Sequence, residues 1–352
     1  MNDNMIINYN DLILITGANG FIGSRVIECL IRYGFKNIRC FVRPSSDLTR
    51  LNKILASGFK VNVDIIKDNL LSKDACKKAT SGVALIYHLV AGFGKSFAGC
   101  YMNSVITTRN LLESTLQNKG LKRFVNVSSF AVYSNMSLRR GKLFDETCEI
   151  EKHFMEKADA YGFGKAKQDE LVMDYSKKYG IPYVLLRPGS VYGPGTRQAI
   201  PPRVGTDSLG IFLEIGGGKR LPLSYVDNCA EAIVLAGLVK GVDGEIFNVV
   251  DDNLPKTNKF VKMYKKNVGK FKSLKIPYWL FYLFSSLWEK YSKWSKGQLP
   301  PVFNRRKCSE IWKGNKYSNQ KLKNYLNWKP RVSYKEAVSK YFEYLKESGI
   351  GI

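Results

Sequence analysis

Tyr161 and Lys165 stand one helical turn apart in Tyr161-Gly-Phe-Gly-Lys165. On a helix that spacing puts both side chains on one face. A lysine ammonium beside a phenol lowers its pKa from about 10 toward neutrality. A phenol so tuned takes or gives the proton of an alcohol while a hydride moves to or from a nicotinamide. Lys165 has a second use, holding the nicotinamide ribose. By itself the pair also describes an ordinary surface helix. Its weight comes from its place about 140 residues after a glycine-rich turn. Ser129, in Ser128-Ser129-Phe130-Ala131-Val132-Tyr133, follows an apolar run. Strand ends of a doubly wound sheet face the ligand crevice, so Ser129 is the hydroxyl expected to polarise a substrate oxygen.

The turn is Thr16-Gly17-Ala18-Asn19-Gly20-Phe21-Ile22-Gly23, set between the apolar run 11–16 and a helix-like segment, 24–33. Gly17 permits a tight turn, Gly20 lets backbone approach a pyrophosphate, and Gly23 lets helix pack on strand. The N–H groups over Asn19, Gly20, Phe21, Ile22 and Gly23 then face an anion. The second strand ends in Cys40-Phe41-Val42-Arg43-Pro44, without the carboxylate that would bind an adenosine ribose 2′-OH. Arg43 pairs instead with a 2′-phosphate, which favours NADP(H) over NAD(H). The alternative is that Arg43 only stacks on adenine and accepts either cofactor. Asp68 and Asn69, after the third strand, are placed to bind the adenine amine. Val90, Ala91 and Gly92, after the fourth, are small enough for ribose and phosphates to come close.

These positions need a scaffold. Strands are expected over 11–16, 38–42, 61–66, 83–89, 124–127, 183–186 and 246–250. Helices are expected over 48–57, 74–79, 101–119, 160–178 and 225–238. Strand and helix alternating at this spacing predict an α/β fold, a Rossmann-like doubly wound parallel sheet. Residues 1–187 form the dinucleotide-binding domain. Residues 188–352 form a smaller, mostly helical substrate-binding region, interleaved with late sheet elements at 225–250. Glycine and proline make 187–223 read as loops.

The chain has 352 residues and a net charge of +25. Residues 256–348 hold 23 Lys/Arg against 5 Asp/Glu. Such a region attracts polyanions, a diphosphate or an acidic membrane surface among them, or is simply a solvated face. Without an RNA- or DNA-binding module, nucleic acid is not expected. Seven scattered cysteines and two histidines, with no paired spacing, predict free thiols in a reducing cytoplasm and no metal site. No apolar stretch reaches spanning length. Residues 276–288, Ile-Pro-Tyr-Trp-Leu-Phe-Tyr-Leu-Phe-Ser-Ser-Leu-Trp between Lys275 and Lys290, have the composition of an interfacial helix on the cytoplasmic face of a membrane. Packing on the substrate region or at a subunit contact is the alternative.

On Thr16–Gly23, His88–Gly92, Val127–Tyr133, Tyr161–Lys165, Arg187-Pro-Gly-Ser-Val-Tyr-Gly-Pro194, Tyr225-Val-Asp227 and Gly244–Asn248, the chain resembles the extended short-chain dehydrogenase/reductase family, of the NAD-dependent epimerase/dehydratase kind. The resemblance implies Ser129, Tyr161 and Lys165 as the catalytic triad and Pro188 behind the nicotinamide. It also implies a homodimer through the helices near 101–119 and 160–178.

Two departures narrow the chemistry. Dehydratases of the family carry an acidic pair where this chain has Phe130 and Ala131, so dehydration is not expected. Sugar-nucleotide members usually carry an asparagine where this chain has Ser190. Candidate substrate contacts are Lys95, Ser129, Ser190, Arg197, Arg203 and Arg220. The expected function is an NAD(P)-dependent oxidoreductase or epimerase acting on a hydroxyl or keto carbon of a nucleotide-linked sugar. An NADPH-dependent reductase of a lipophilic ketone or lipid-linked sugar is the second reading, and a non-catalytic dinucleotide sensor the third.

Overall fold

The computed structural model describes residues 4–56, 61–196, 198–208, 210–296 and 298–351. Candidate residue Arg197 lies outside them. Seven parallel strands form the central sheet: β1 (Leu12–Thr16), β2 (Asn37–Val42), β3 (Asn62–Lys67), β4 (Val83–His88), β5 (Arg123–Val127), β7 (Tyr183–Pro188) and β12 (Ile246–Val249). Their order is β12-β7-β5-β4-β1-β2-β3. The order reverses between β1 and β4, which places the ligand crevice at the carboxyl ends of those strands.

The strands are short apolar runs because both sheet faces are covered. Ile13 and Ile15 enter one core with α1 (Phe21–Arg32) and α7 (Val226–Leu238), while Leu14 faces the other. That second face is closed by α3 (Lys73–Thr80), α5 (Thr107–Thr115) and α6 (Ala160–Tyr179), through Cys76, Leu111, Leu112 and Val172. Two shorter helices, α2 (Thr49–Leu55) and α4 (Phe97–Tyr101), follow β2 and β4. A π-helical turn over Met102–Ile106 joins α4 to α5.

The segment 187–223, expected as loops, contains strands. β8 (Ser190–Tyr192) pairs with β11 (Leu223–Tyr225), and β9 (Gly205–Ser208) and β10 (Ile211–Glu214) form a sheet with β13 (Ser273–Lys275). Each is too short to show a period of two, and β9 is polar and mostly exposed. β6 (Leu143–Phe144) pairs with β14 (Lys316–Tyr317).

A second core gathers Phe130, Tyr133, Phe144, Tyr192, Phe212 and Tyr225 with α8 (Thr257–Asn267) and α12 (Tyr334–Ser348). α9 (Tyr278–Trp294) and α10 (Arg305–Trp312) pack together through Phe281, Cys308 and Trp312. α11 (Gln320–Leu326), read from sequence as part of the substrate side, returns to the nucleotide side. Trp328 behind it is 1% exposed and donates its indole N–H to the Asn228 carbonyl.

Candidate active site

The turn after β1 has the geometry an anion needs. Gly17 has φ +73°, and a Cβ on Gly23 would lie 2.2 Å from the Gly17 carbonyl oxygen. Only glycine therefore fits at position 23, and α1 can begin directly against the strand. No side chain caps the N-terminus of α1, and its first turn has no acidic residue. Its N–H groups and positive dipole end stay available, so these residues fit a dinucleotide pyrophosphate.

Around that turn the other candidates separate. Asn19 donates to the Asp47 carbonyl and shapes the neighbouring loop. Arg43 is exposed just beyond β2, its guanidinium 3.4 Å from the Asn103 amide oxygen. The Asp68 carboxylate accepts the Asn69 N–H, and the Asn69 side chain accepts the Leu71 N–H. Both thus shape their own turn. Gly92 has a packing reason to be small. A Cβ there would meet the Cys100 Cα at 2.7 Å, and its N–H donates to the Ser104 hydroxyl. Its size lets the loop pack on α4. Pro188 is buried in β7, paired with Val249.

α6 begins at an Asp159 cap, which accepts the Gly162 N–H and sets Tyr161 in the first turn. The Tyr161 phenol stands beside Ser129, which follows β5, and both face the same cleft. Its ring stacks on Phe93 with 5.2 Å between centroids. Desolvation pushes the Tyr161 phenol up to about 12, against the lowering effect of Ser129. The expected lowering by Lys165 is not present. Lys165 is 2% exposed and spends its three donors elsewhere: on the Val127 carbonyl (2.6 Å), the Gln168 amide oxygen (2.7 Å) and the Val90 carbonyl (3.2 Å). Burial brings its own pKa down to about 8, with Asp169 opposing.

Beneath Lys165 runs a buried chain of neutral groups. The Gln168 amide donates to the Thr108 hydroxyl (2.7 Å), which meets His88 Nε2 (2.8 Å). His88 Nδ1 meets the Thr16 hydroxyl (2.7 Å) at the start of the glycine turn. Burial, then the Lys165 charge, pushes His88 down to about 3, so the ring is neutral. Beside this chain, buried Asp169 accepts from Ser128 and Arg187, and Arg187 covers the Tyr133 ring. Gln168 lies on the same helical face as Lys165, one turn on, which is the sequence signal that would have found it. Thr108 carried none.

Ile22, Ser129, Tyr161 and Ser190 open on one cleft of about 680 Å³. Arg203 also lines it, donating to the Tyr317 hydroxyl at 3.3 Å. The structure does not bring Lys95 or Arg220 to this lining; both are exposed. It brings instead a buried charge cluster that the sequence did not reveal. Lys157 is 5% exposed, and its ammonium lies 3.1 Å from Glu310 and 3.7 Å from Glu151. Glu151 is also paired with Arg306 at 2.7 Å. Ala158, at φ +47°, turns the chain between Lys157 and Asp159. Burial raises Glu310, with Lys157 opposing. Among the described residues no group of three or more His, Cys, Asp or Glu could hold a metal ion.

The pattern that defines the NAD dependent epimerase/dehydratase family matches residues 13–249. A trifunctional UDP-glucose 4,6-dehydratase/UDP-4-keto-6-deoxy-D-glucose 3,5-epimerase/UDP-4-keto-L-rhamnose-reductase from Arabidopsis thaliana is 30% identical over 67% of this chain, which spans 36% of that protein's length. An uncharacterized UDP-glucose epimerase from Bacillus subtilis (strain 168) is 27% identical over 67% of this chain and 76% of its own. Among solved structures, UDP-glucuronic acid 4-epimerase from Bacillus cereus, in complex with UDP-glucuronic acid and NAD, superposes with a TM-score of 0.71. That match is 22% identical and covers 96% of this chain and 99% of the other. The chain belongs to the NAD dependent epimerase/dehydratase family, of the extended short-chain dehydrogenase/reductase type.

Proposed function

We propose that the chain is an epimerase or oxidoreductase that interconverts hydroxyl and keto carbons on a nucleotide-linked sugar, with Tyr161 as acid and base. The convergence of Ile22, Ser129, Tyr161 and Ser190 on one cleft carries this reading. A bound nicotinamide supplies the hydride acceptor and donor. Ser129 holds the reacting oxygen by a hydrogen bond, and Tyr161 takes its proton as the carbonyl forms and returns it on reduction. Lys165, one helical turn on from Tyr161, ties the end of β5 to the turn after β4 and is the group offered to the nicotinamide ribose. Ser190 and Arg203 are the polar groups offered to the diphosphate. Phe130 and Ala131 leave no acidic pair beside Ser129 for dehydration.

Arg43 supports a preference for NADP(H), since its exposed guanidinium ends the strand where a 2′-phosphate would sit. The Bacillus cereus neighbour is in complex with NAD. Seven free, buried cysteines support a cytoplasmic location. Exposed Tyr101, Met102, Leu116 and Tyr179 support a homodimer through α4, α5 and α6. A substrate-side region over 188–352 draws support from the second core, most of whose residues lie there, although Phe130 to Cys148 join that core from before residue 187 and α7, β12 and α11 return to the first.

A second reading, reduction of a lipophilic ketone, draws on the aromatic lining of the cleft by Phe130, Phe144, Tyr192, Phe281 and Phe303. Mass spectrometry of the purified protein separates the two. Retained NAD with turnover of a UDP-sugar between epimers supports the epimerase. Net NADPH consumption with a hydrophobic ketone, and none with nucleotide sugars, overturns it.

A further inference from the structure

α9 is built with its apolar side outward. Its buried positions include two small polar residues, Ser285 at 0% and Ser292 at 4% exposure. Phe281, Tyr282 and Trp288 turn inward, but most of its apolar side chains face solvent: Trp279 (66% exposed), Leu283 (51%), Leu287 (57%) and Trp294 (76%), with Leu280, Phe284 and Tyr291 also exposed. At 3.6 residues per turn these seven positions fall within an arc of roughly 140°. A helix that only completed the fold would bury that arc; this one turns it away.

Charge decides what covers it. Lys293 flanks the arc, Lys290 falls just inside its edge with a stem long enough to carry its ammonium to headgroup level, and Lys275 and Lys296 stand at its ends, all four exposed. A second copy meeting the patch face to face would bring the same lysines against them. An anionic bilayer opposes them instead. Trp279 and Trp294 are about 22 Å apart along the helix axis, which suits a helix lying flat with both indoles at headgroup depth and leucines between. No helix among the described residues is long and apolar enough to cross a membrane.

We propose that the outward face of α9 docks the protein on an anionic lipid surface, with Trp279, Leu283, Leu287 and Trp294 entering the interface and the four lysines meeting phosphate headgroups. The inner face of the same helix lines the cleft through Phe281. A docked molecule therefore holds its cleft one helix width from the lipid.

The test uses the full chain and sedimentation with vesicles of phosphatidylcholine, with or without roughly one-third phosphatidylglycerol, at about 0.1 M salt. Binding is expected on the anionic vesicles, with a blue shift of tryptophan emission, and about tenfold less binding without the anionic lipid. The double variant Leu283→Ser/Leu287→Ser should lose at least tenfold in binding, and Lys290→Gln/Lys293→Gln about fivefold. All substituted side chains are exposed, and an unchanged NADPH or NADH titration verifies that the fold is intact. This readout involves no turnover, so it stands or falls apart from the reaction assigned to the cleft. No binding to either vesicle overturns the proposal. So does a dimer, measured by light scattering, that the leucine variant converts to monomers, because the face would then be a subunit contact.

Discussion

Two buried polar networks adjoin the same cleft and are built on opposite principles. Under Tyr161, one cation is held by neutral dipoles, Lys165 by two backbone carbonyls and the Gln168 amide. Around Lys157, charge is met by charge: Glu310, Glu151 and, behind them, Arg306. Neutral dipoles do not fully replace water for an ammonium, so the Lys165 pKa falls to about 8 and its charge becomes titratable near ordinary pH. Matched charges hold each other in place, and removing one leaves its partner buried and unpaired. The first arrangement suits a group whose protonation matters to chemistry. The second suits a wall that must keep its shape.

The largest effect should come from the first network. Tyr161→Phe keeps the ring and its stacking on Phe93 but removes the proton carrier. Turnover of whichever substrate is found should fall by about a thousandfold, with dinucleotide affinity unchanged in a fluorescence titration. Function that survives intact in this variant would move the chain to the dinucleotide-sensor reading. Lys157→Met probes the second network. Breaking a buried ion pair from one side costs about 3 kcal/mol. Chemical denaturation should show a loss of that size, far above the change expected for an exposed pair such as Lys340 with Glu336. A loss under about 1 kcal/mol would mean that the cluster is not the rigid element described.

The contrast also explains what could be read without coordinates. The glycine turn, Ser129 and Tyr161 sit in contiguous motifs whose spacing encodes local geometry, and the alternation of strands and helices encodes the sheet. Lys157, Glu151, Glu310 and Arg306 come from segments about 150 residues apart, and nothing in their neighbourhoods marks them as partners. The same limit hid β8 to β11. It also hid the packing of Gly92 on α4, which depends on Cys100 eight residues further along. Lys95 and Arg220 were chosen for charge alone, and charge without a fold does not say which surface it occupies.

His88 offers a test through stability. Its folded pKa, about 3, lies below the usual value of about 6.5, so below pH 6.5 the unfolded chain binds a proton that the fold refuses. Stability from this group falls as pH drops through the window from 6.5 to 3, by up to about 1.4 kcal/mol per pH unit. In His88→Gln that component of the acid slope should vanish between pH 6.5 and 4.5, measured by urea denaturation across pH. An unchanged slope would mean that His88 is protonated in the fold and that the chain beneath Lys165 is not neutral.

Gln168→Leu should have the smallest effect on rate. Gln168 bridges Lys165 and Thr108 and touches neither the cleft lining nor the glycine turn, so its action is positional. Losing one neutral acceptor should lower activity by about tenfold. The more telling readout is the pH profile. An acceptor on an ammonium favours the charged form, so its loss should lower the Lys165 pKa further. The alkaline limb of activity, expected near pH 8 for the native enzyme, should therefore begin at lower pH in Gln168→Leu. In Gln168→Glu it should begin at higher pH, because a carboxylate holds the ammonium more strongly. A purely structural role for Gln168 would lower the rate in both variants and leave the limb where it was.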